Sequence, residues 1–156
     1  MNTYCTPITD WLTHVGVNDR LKVLFENQWP LPKGVAYNAY LAKDEKTALL
    51  DSVDAHQADD FMTKVRTALG DRTLDYYVIH HVEPDHSSTI PLVRRYYPDV
   101  TLVGNKKTFT LLNQFYDIDE ENAIIVGEGD SLSLGKHKLT FHMTPMTHWP
   151  ESMVSY

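Results

Sequence analysis

Five side chains able to bind a metal or move a proton fall within seven positions: His80, His81, Glu83, Asp85 and His86, in the stretch "IHHVEPDHSS". Imidazole nitrogens beside carboxylate oxygens, with no sulfur among them, suit iron, manganese or zinc rather than copper(I) or an iron–sulfur cluster. Two anionic donors so close together tilt the choice toward an ion that passes through a trivalent state, iron or manganese over zinc. An extended loop would turn His81, Glu83 and Asp85 to one side. His86, at the start of a helix, would then face a neighbouring point, so that one loop could serve two adjacent ions. The competing reading is plainer: Glu83, Asp85 and His86 form the polar entry to that helix, with Asp85 as its cap. A metal site would need a further nitrogen from a distant loop. His148, framed by Trp149 and Pro150 in "TPMTHWPESM", is the candidate.

The elements around these residues must hold them. The cluster directly follows "LDYYVI" (74–79), a short apolar run of the kind found in strands buried on both faces. Residues at the carboxyl end of such a strand project into the crevice where α/β proteins hold ligands. Before it, "RLKVLFEN" (20–27) predicts a strand ending at a Pro/Gly loop, and the apolar runs 35–42 and 47–53 predict a hairpin about residues 43–46. Phe61, Val65 and Leu69 share one face of a predicted helix over 57–69, which Gly70 stops. Ser87 or Ser88 predicts the cap of a helix running through Tyr97, with Pro91 in its first turn. Strands over 100–104, 122–126 and 136–145 and a helix over 106–116 follow, and "MVSY" reads as an incoming strand. Such alternation predicts an α/β layered architecture in one domain. No G-x-G-x-x-G follows any strand, so a Rossmann dinucleotide site has no support.

Composition narrows the partners. A chain of 156 residues can bury a real core. Its net charge of −7, with basic residues only paired (Arg94-Arg95, Lys106-Lys107), argues against nucleic acid, which needs clustered cations. Cys5 is the single cysteine, excluding an intrachain disulfide and a thiolate metal cage. The N-terminus lacks a basic segment followed by an apolar run, and no stretch approaches the ~20 apolar residues of a membrane helix. A cytoplasmic protein without membrane partners is expected.

The pattern H-x-E-x-D-H behind an apolar strand, then 61 intervening residues and a His in "HWPESM", resembles the flavodiiron proteins, also called A-type flavoproteins or rubredoxin:oxygen oxidoreductases. "YNAYLAKDEKTALLDSV" is similar to that family's early hairpin. The resemblance implies a metallo-β-lactamase-like αββα sandwich. Hydrolases of that fold carry H-x-H-x-D-H, and Glu83 in place of the second His sets the oxidoreductases apart. It implies that His81, Glu83 and His148 ligate one iron and Asp85 and His86 the second, with His80 and Trp149 in support.

The implied activity is reduction of dioxygen to water, or of nitric oxide to nitrous oxide, at a non-haem diiron site. FMN on a flavodoxin-like domain delivers the electrons, supplied by rubredoxin or a flavin/NADH reductase, within a head-to-tail homo-oligomer. Residues 1–156 are then expected to be the N-terminal portion of the diiron domain. The family's bridging Asp, its final His and the FMN domain are expected beyond Tyr156, leaving the sandwich and ligand set incomplete and the isolated chain inactive. Two rival expectations are a hydrolase on the same fold, using a metal-bound hydroxide, and a non-catalytic module that binds a partner through an open sandwich edge.

Overall fold

The computed structural model describes residues 4–118 and 122–156. In chain order the first strands are β1 (Thr6–Pro7), β2 (Leu12–His14), β3 (Val17–Asp19), β4 (Leu24–Phe25), β5 (Trp29–Pro30) and β6 (Val35–Tyr37). Then come β7 (Tyr40–Lys43), β8 (Thr47–Leu50), helix α1 (Ala58–Leu69), β9 (Tyr76–Val78) and helices α2 (Pro84–Ser87) and α3 (Ile90–Tyr96). The remainder is β10 (Thr101–Gly104), α4 (Lys106–Leu112), β11 (Ala123–Ile125), β12 (Ser131–Ser133), β13 (Lys138–Met143) and β14 (Met153–Ser155).

A seven-stranded sheet has the order β1-β2-β7-β8-β9-β10-β11, and β12-β13-β14 form a second sheet of three. In the first, β8 through β11 run parallel and the strands on the other side run antiparallel. Residue size along the pleat divides the core in two. Leu41, Leu49, Tyr77 and Leu102 point to one face and pack with Phe61 and Val65 of α1, Ile90 and Val93 of α3 and Phe109 of α4. Their sequence neighbours Ala42, Ala48, Val78 and Val103 point to the other face, where small side chains let Leu139, Phe141 and Met153 of the second sheet approach. This is the helix–sheet–sheet stacking of a metallo-β-lactamase-like fold. Among the described residues, none of α1 to α4 belongs to the second core. Among the described residues, no helix is long and apolar enough to cross a membrane.

Most elements fall where the sequence puts them, and the exceptions have local causes. The strand expected over 20–27 shrinks to β4, because Glu26 and Asn27 both take positive φ (49° and 57°) and fold the chain back into β5. Two consecutive left-handed residues are the geometry of a type I′ hairpin turn. Thr89 holds the N-cap position of α3, and neither Ser87 nor Ser88 is the N-cap of a helix. Their hydroxyls donate to Val82 O (2.6 Å) and Val53 O (3.4 Å), and the helical stretch splits into α2 and α3, with Pro91 in the first turn of the latter. The helix expected to reach residue 116 ends at Leu112. Strands β1, β2, β3, β5 and β12 carry no signal in the sequence reading above.

Parallel strands β8, β9 and β10 end on the same edge of the sheet. Asp51 and Asn105 follow β8 and β10 directly and His80-His81 follow β9 after Ile79, so that edge gathers the polar groups.

Candidate metal centre

Two loops build the site. The first leaves β9 at Ile79, whose N–H donates to Val103 O (2.9 Å), and passes through His81 to Glu83, the residue that precedes α2. Pro84 opens that helix, where its missing N–H costs nothing. The second is the connection 144–152 between β13 and β14, closed by Thr144 N–H donating to Ser152 O (2.9 Å). Met153 N–H donates to His80 O (3.0 Å) and clips this connection onto the end of β9. The Thr147–His148 peptide is cis.

The clip brings three donor atoms to one point. Glu83 Oε2 lies 3.1 Å from His81 Nε2 and 2.8 Å from His148 Nε2, and the two imidazole nitrogens are 3.3 Å apart. Donors at right angles around one ion, each ~2.1 Å from it, sit roughly 3.0 Å from one another. The chemistry of the set also fits a cation. Glu151 Oε1 receives the His81 Nδ1 proton (2.8 Å), so a neutral His81 ring turns an Nε2 lone pair toward the Glu83 oxygen. Lone pairs facing each other at that distance repel unless a proton or a metal ion lies between them. Glu83 Oε1 is buried with no hydrogen-bond partner, leaving a second oxygen for coordination.

Asp85 and His86 stand beside this trio rather than within it. The stretch expected to be extended becomes the helical turn α2, so Asp85 does not alternate with Glu83. Glu83 rather than Asp85 occupies the N-cap position, with no side-chain capping bond, so Asp85 lies in the first turn of α2 and is not its cap. Asp85 Oδ2 is 3.7 Å from His86 Nε2, the rings of His81 and His86 are 5.1 Å apart, and Asp51 Oδ2 is 3.5 Å from His86 Nδ1. Asp85 Oδ1 and His86 Nδ1 are buried without hydrogen-bond partners. Burial raises the Asp85 carboxyl, and the neighbouring Glu83 adds to the rise against the opposing pull of His86. Burial works against a charged His86, but Asp51, Asp85 and Glu83 together leave its value raised. A cavity of about 750 Å³ opens over the trio and this pair, with Phe25, Tyr40 and Thr147 in its wall.

His80 touches none of the three donors. It faces Asp51 Oδ2 (3.2 Å) and Ser155 Oγ (2.9 Å), joining the two sheets and sharing Asp51 with His86. Trp149 stands edge-on to His81, with ring centroids 5.3 Å apart. His56, His137 and His142 pair with Asp54, Asp44 and Glu128 elsewhere, and His14 packs on Tyr40. Two groups escaped the sequence reading: Asp51 and Glu151. Asp51 carried a usable signal, since it ends the apolar run of a strand, and Glu151 lay inside the quoted "HWPESM".

Residues 35–156 match the ODP family beta lactamase. The chain belongs to this family, the β-lactamase-like domain of the flavodiiron proteins. It is 36% identical over 150 residues to a nitric oxide reductase of Moorella thermoacetica, covering 96% of this chain and 38% of the relative. With a rubredoxin-oxygen oxidoreductase of Megalodesulfovibrio gigas it shares 35% over 152 residues, 97% of this chain and 38% of the relative. Among solved structures, the flavodiiron protein of Giardia intestinalis superposes with a TM-score of 0.90 at 27% identity, over 98% of this chain and 37% of that one. The rubredoxin oxygen:oxidoreductase of Desulfovibrio gigas gives 0.88 at 33% identity, over 98% and 38%. The chain thus spans 38% of the length of the two curated relatives.

Proposed function

We propose that residues 1–156 are the N-terminal portion of a diiron domain whose intact protein reduces dioxygen to water, nitric oxide to nitrous oxide, or both. The observation that carries this reading is the convergence of His81 Nε2, Glu83 Oε2 and His148 Nε2 within 3.3 Å of one another. These three would hold one iron, and Asp85 with His86 would contribute to a second beside it. The ions supply the redox centre and the binding positions for the small molecule.

The chain's own residues set the surroundings. Glu83 brings negative charge between two imidazole donors, which favours a more highly charged ion. Asp51 faces His86 from behind and limits how that ring turns. Phe25 and Tyr40 form an apolar part of the cavity wall, suited to a small uncharged substrate. Dioxygen and nitric oxide would meet the same five side chains. In the full-length protein, FMN on a flavodoxin-like domain, an electron donor such as rubredoxin or a flavin/NADH reductase, a homo-oligomer and a cytoplasmic setting complete the proposal.

Anaerobic loading with ferrous ion, followed by removal of excess and iron analysis, tests it. Bound iron that is lost from Glu83→Ala and His148→Ala supports the reading. Two zinc ions with ester or lactam hydrolysis would replace it with a hydrolase, and no bound metal would leave a binding module.

A further inference from the structure

We infer that Glu151 is the residue that positions His81 for metal binding, fixing which ring nitrogen faces the ion and how far the ring can turn. This rests on the metal-site reading above and adds to it a residue outside the donor set.

The Glu151 side chain is fully buried, with 0% of its surface exposed. Its Oε1 accepts two hydrogen bonds, from His81 Nδ1 (2.8 Å) and from the N–H of Val82 (2.9 Å). Oε2 has no hydrogen-bond partner. A carboxylate taken out of water is costly, and one with a single engaged oxygen is poor value for stability alone. A function for the charge resolves this.

The chemistry of the pair is specific. A carboxylate accepts hydrogen bonds and cannot donate, so the nitrogen facing it carries the proton. His81 is therefore held with hydrogen on Nδ1 and the lone pair on Nε2, the atom that meets Glu83 and His148. An anionic partner also raises the basicity of the other nitrogen, the arrangement that orients metal-binding histidines in general.

Glu151 is well placed to do this because both its ends are fixed. Its backbone carbonyl accepts from Asn105 Nδ2 (2.6 Å), and Asn105 in turn caps α4 through Thr108 N–H (3.0 Å). The residue belongs to the same connection as His148, so one side chain sets the register between the two loops that supply the donors. It is not itself a donor to the ion. Its engaged oxygen lies on the Nδ1 side of His81, away from the point where the three donor atoms meet.

The competing explanation is that Glu151 merely ties the connection 144–152 to β9. Glu151→Gln separates the two, since the amide keeps the volume and one accepting oxygen but loses the charge. Titration of the metal-free chain with Co²⁺, followed by its visible absorption, reads affinity. Melting of the metal-free protein reads folding, and ¹⁵N–¹H correlation spectra of its histidines read the tautomer of His81.

The inference expects Glu151→Gln to bind Co²⁺ about 10–100-fold more weakly, with an unchanged or higher melting temperature. It expects the His81 proton to sit on Nδ1 in the parent chain and to be redistributed in the variant. Glu151→Asp, which restores the charge, is expected to regain part of the lost affinity. Equal affinity in parent and Glu151→Gln, or a variant that no longer folds, would overturn it. If the parent binds no Co²⁺, the metal-site reading fails by itself. The His81 tautomer and its response to Glu151→Gln then decide the positioning role separately.

Discussion

The Nε2 atoms of His81 and His148 lie 3.3 Å apart, although 67 positions of sequence and a change of sheet separate the two residues. The Met153 N–H to His80 O bond joins their two loops, and Trp149 packs edge-on against His81 beside them. His81 is held by Glu151, His148 is largely open to solvent, and the Glu83 carboxylate lies between them. A cation relieves that crowding, so metal should bind the folded chain far better than the unfolded one. A divalent ion at a hundred times its dissociation constant is expected to add about 2.7 kcal/mol to unfolding. The measurement is a melting curve with Zn²⁺ or anaerobic Fe²⁺, expected to rise by several degrees and to return with a chelator. A curve indifferent to both ions would mean that the three donors never close on one.

His148 allows function and fold to be separated. Its side chain is 65% exposed, so His148→Ala should leave the metal-free stability within about 0.5 kcal/mol. Losing one of three donors should weaken metal binding by at least roughly tenfold, since even partners outside the donor set are worth that much. Calorimetric titration of the variant against the parent measures the difference. His142→Ala, on the same strand pair but bonded to Glu128, is the control and should bind as the parent does.

What could be read from the sequence follows from how local each signal is. Residues 76–79 are continuously apolar because β9 is buried on both faces, and Phe61, Val65 and Leu69 share a stripe because α1 packs on one. Donor types were equally visible, because a metal site needs particular atoms and the chain spells them out. Angles were not. Glu26 and Asn27 take a left-handed turn that glycine would have announced and these residues do not. The turn α2 hides in a stretch whose alternation looks extended, since Pro84 is as much at home in a first helical turn as in a loop. Asp51 and Glu151 act through pairs 29 and 70 positions apart, His80 and His81 respectively, and no local pattern says which carboxylate meets which imidazole.

Acid should loosen the β4–β5 hairpin through one ion pair. Lys22 Nζ donates to Asp54 Oδ2 (2.7 Å) and to the Tyr37 hydroxyl (3.0 Å), tying the segment before the hairpin to the body of the protein. Burial raises the Asp54 carboxyl, but Lys22 and His56 outweigh it and hold it at about 2. A carboxyl lowered on folding stabilises above its ordinary range and loses that contribution as pH falls through its folded value. Lys22→Met should therefore cost about 1 kcal/mol at neutral pH, a figure reduced for solvent screening of the pair. The gap between variant and parent should close as pH falls from about 4 toward 2. Urea unfolding across that range tests it, and a gap that stays constant with pH would assign the cost to lost packing over Phe25 and Tyr37 instead.

Gly16 is a position where the fold has no room for a methyl group, and the consequence should reach the site. A Cβ built there would lie 2.0 Å from Tyr37 O and 2.8 Å from Ala39 N. Both are backbone atoms, unable to swing aside as a side chain would. The close approach exists because Val15 N–H and Gly16 N–H both donate to Ala39 O (2.9 and 3.1 Å), drawing the β2–β3 connection onto the β6–β7 connection. Gly16→Ala should lower stability by about 3 kcal/mol, the upper end of ordinary overpacking. Gly127→Ala, whose new atom would meet only Asp130 Oδ2 at 3.5 Å, should stay within about 0.5 kcal/mol. Because Asn38 and Tyr40 flank the displaced residue and line the cavity over the donor atoms, the Gly16 variant should also bind metal more weakly wherever it still folds. Urea unfolding and a Co²⁺ titration of both variants give the two readouts. A Gly16→Ala protein with the parent's midpoint would show that the two connections are not pressed together, and with it would go the placement of Asn38 and Tyr40 in the cavity wall.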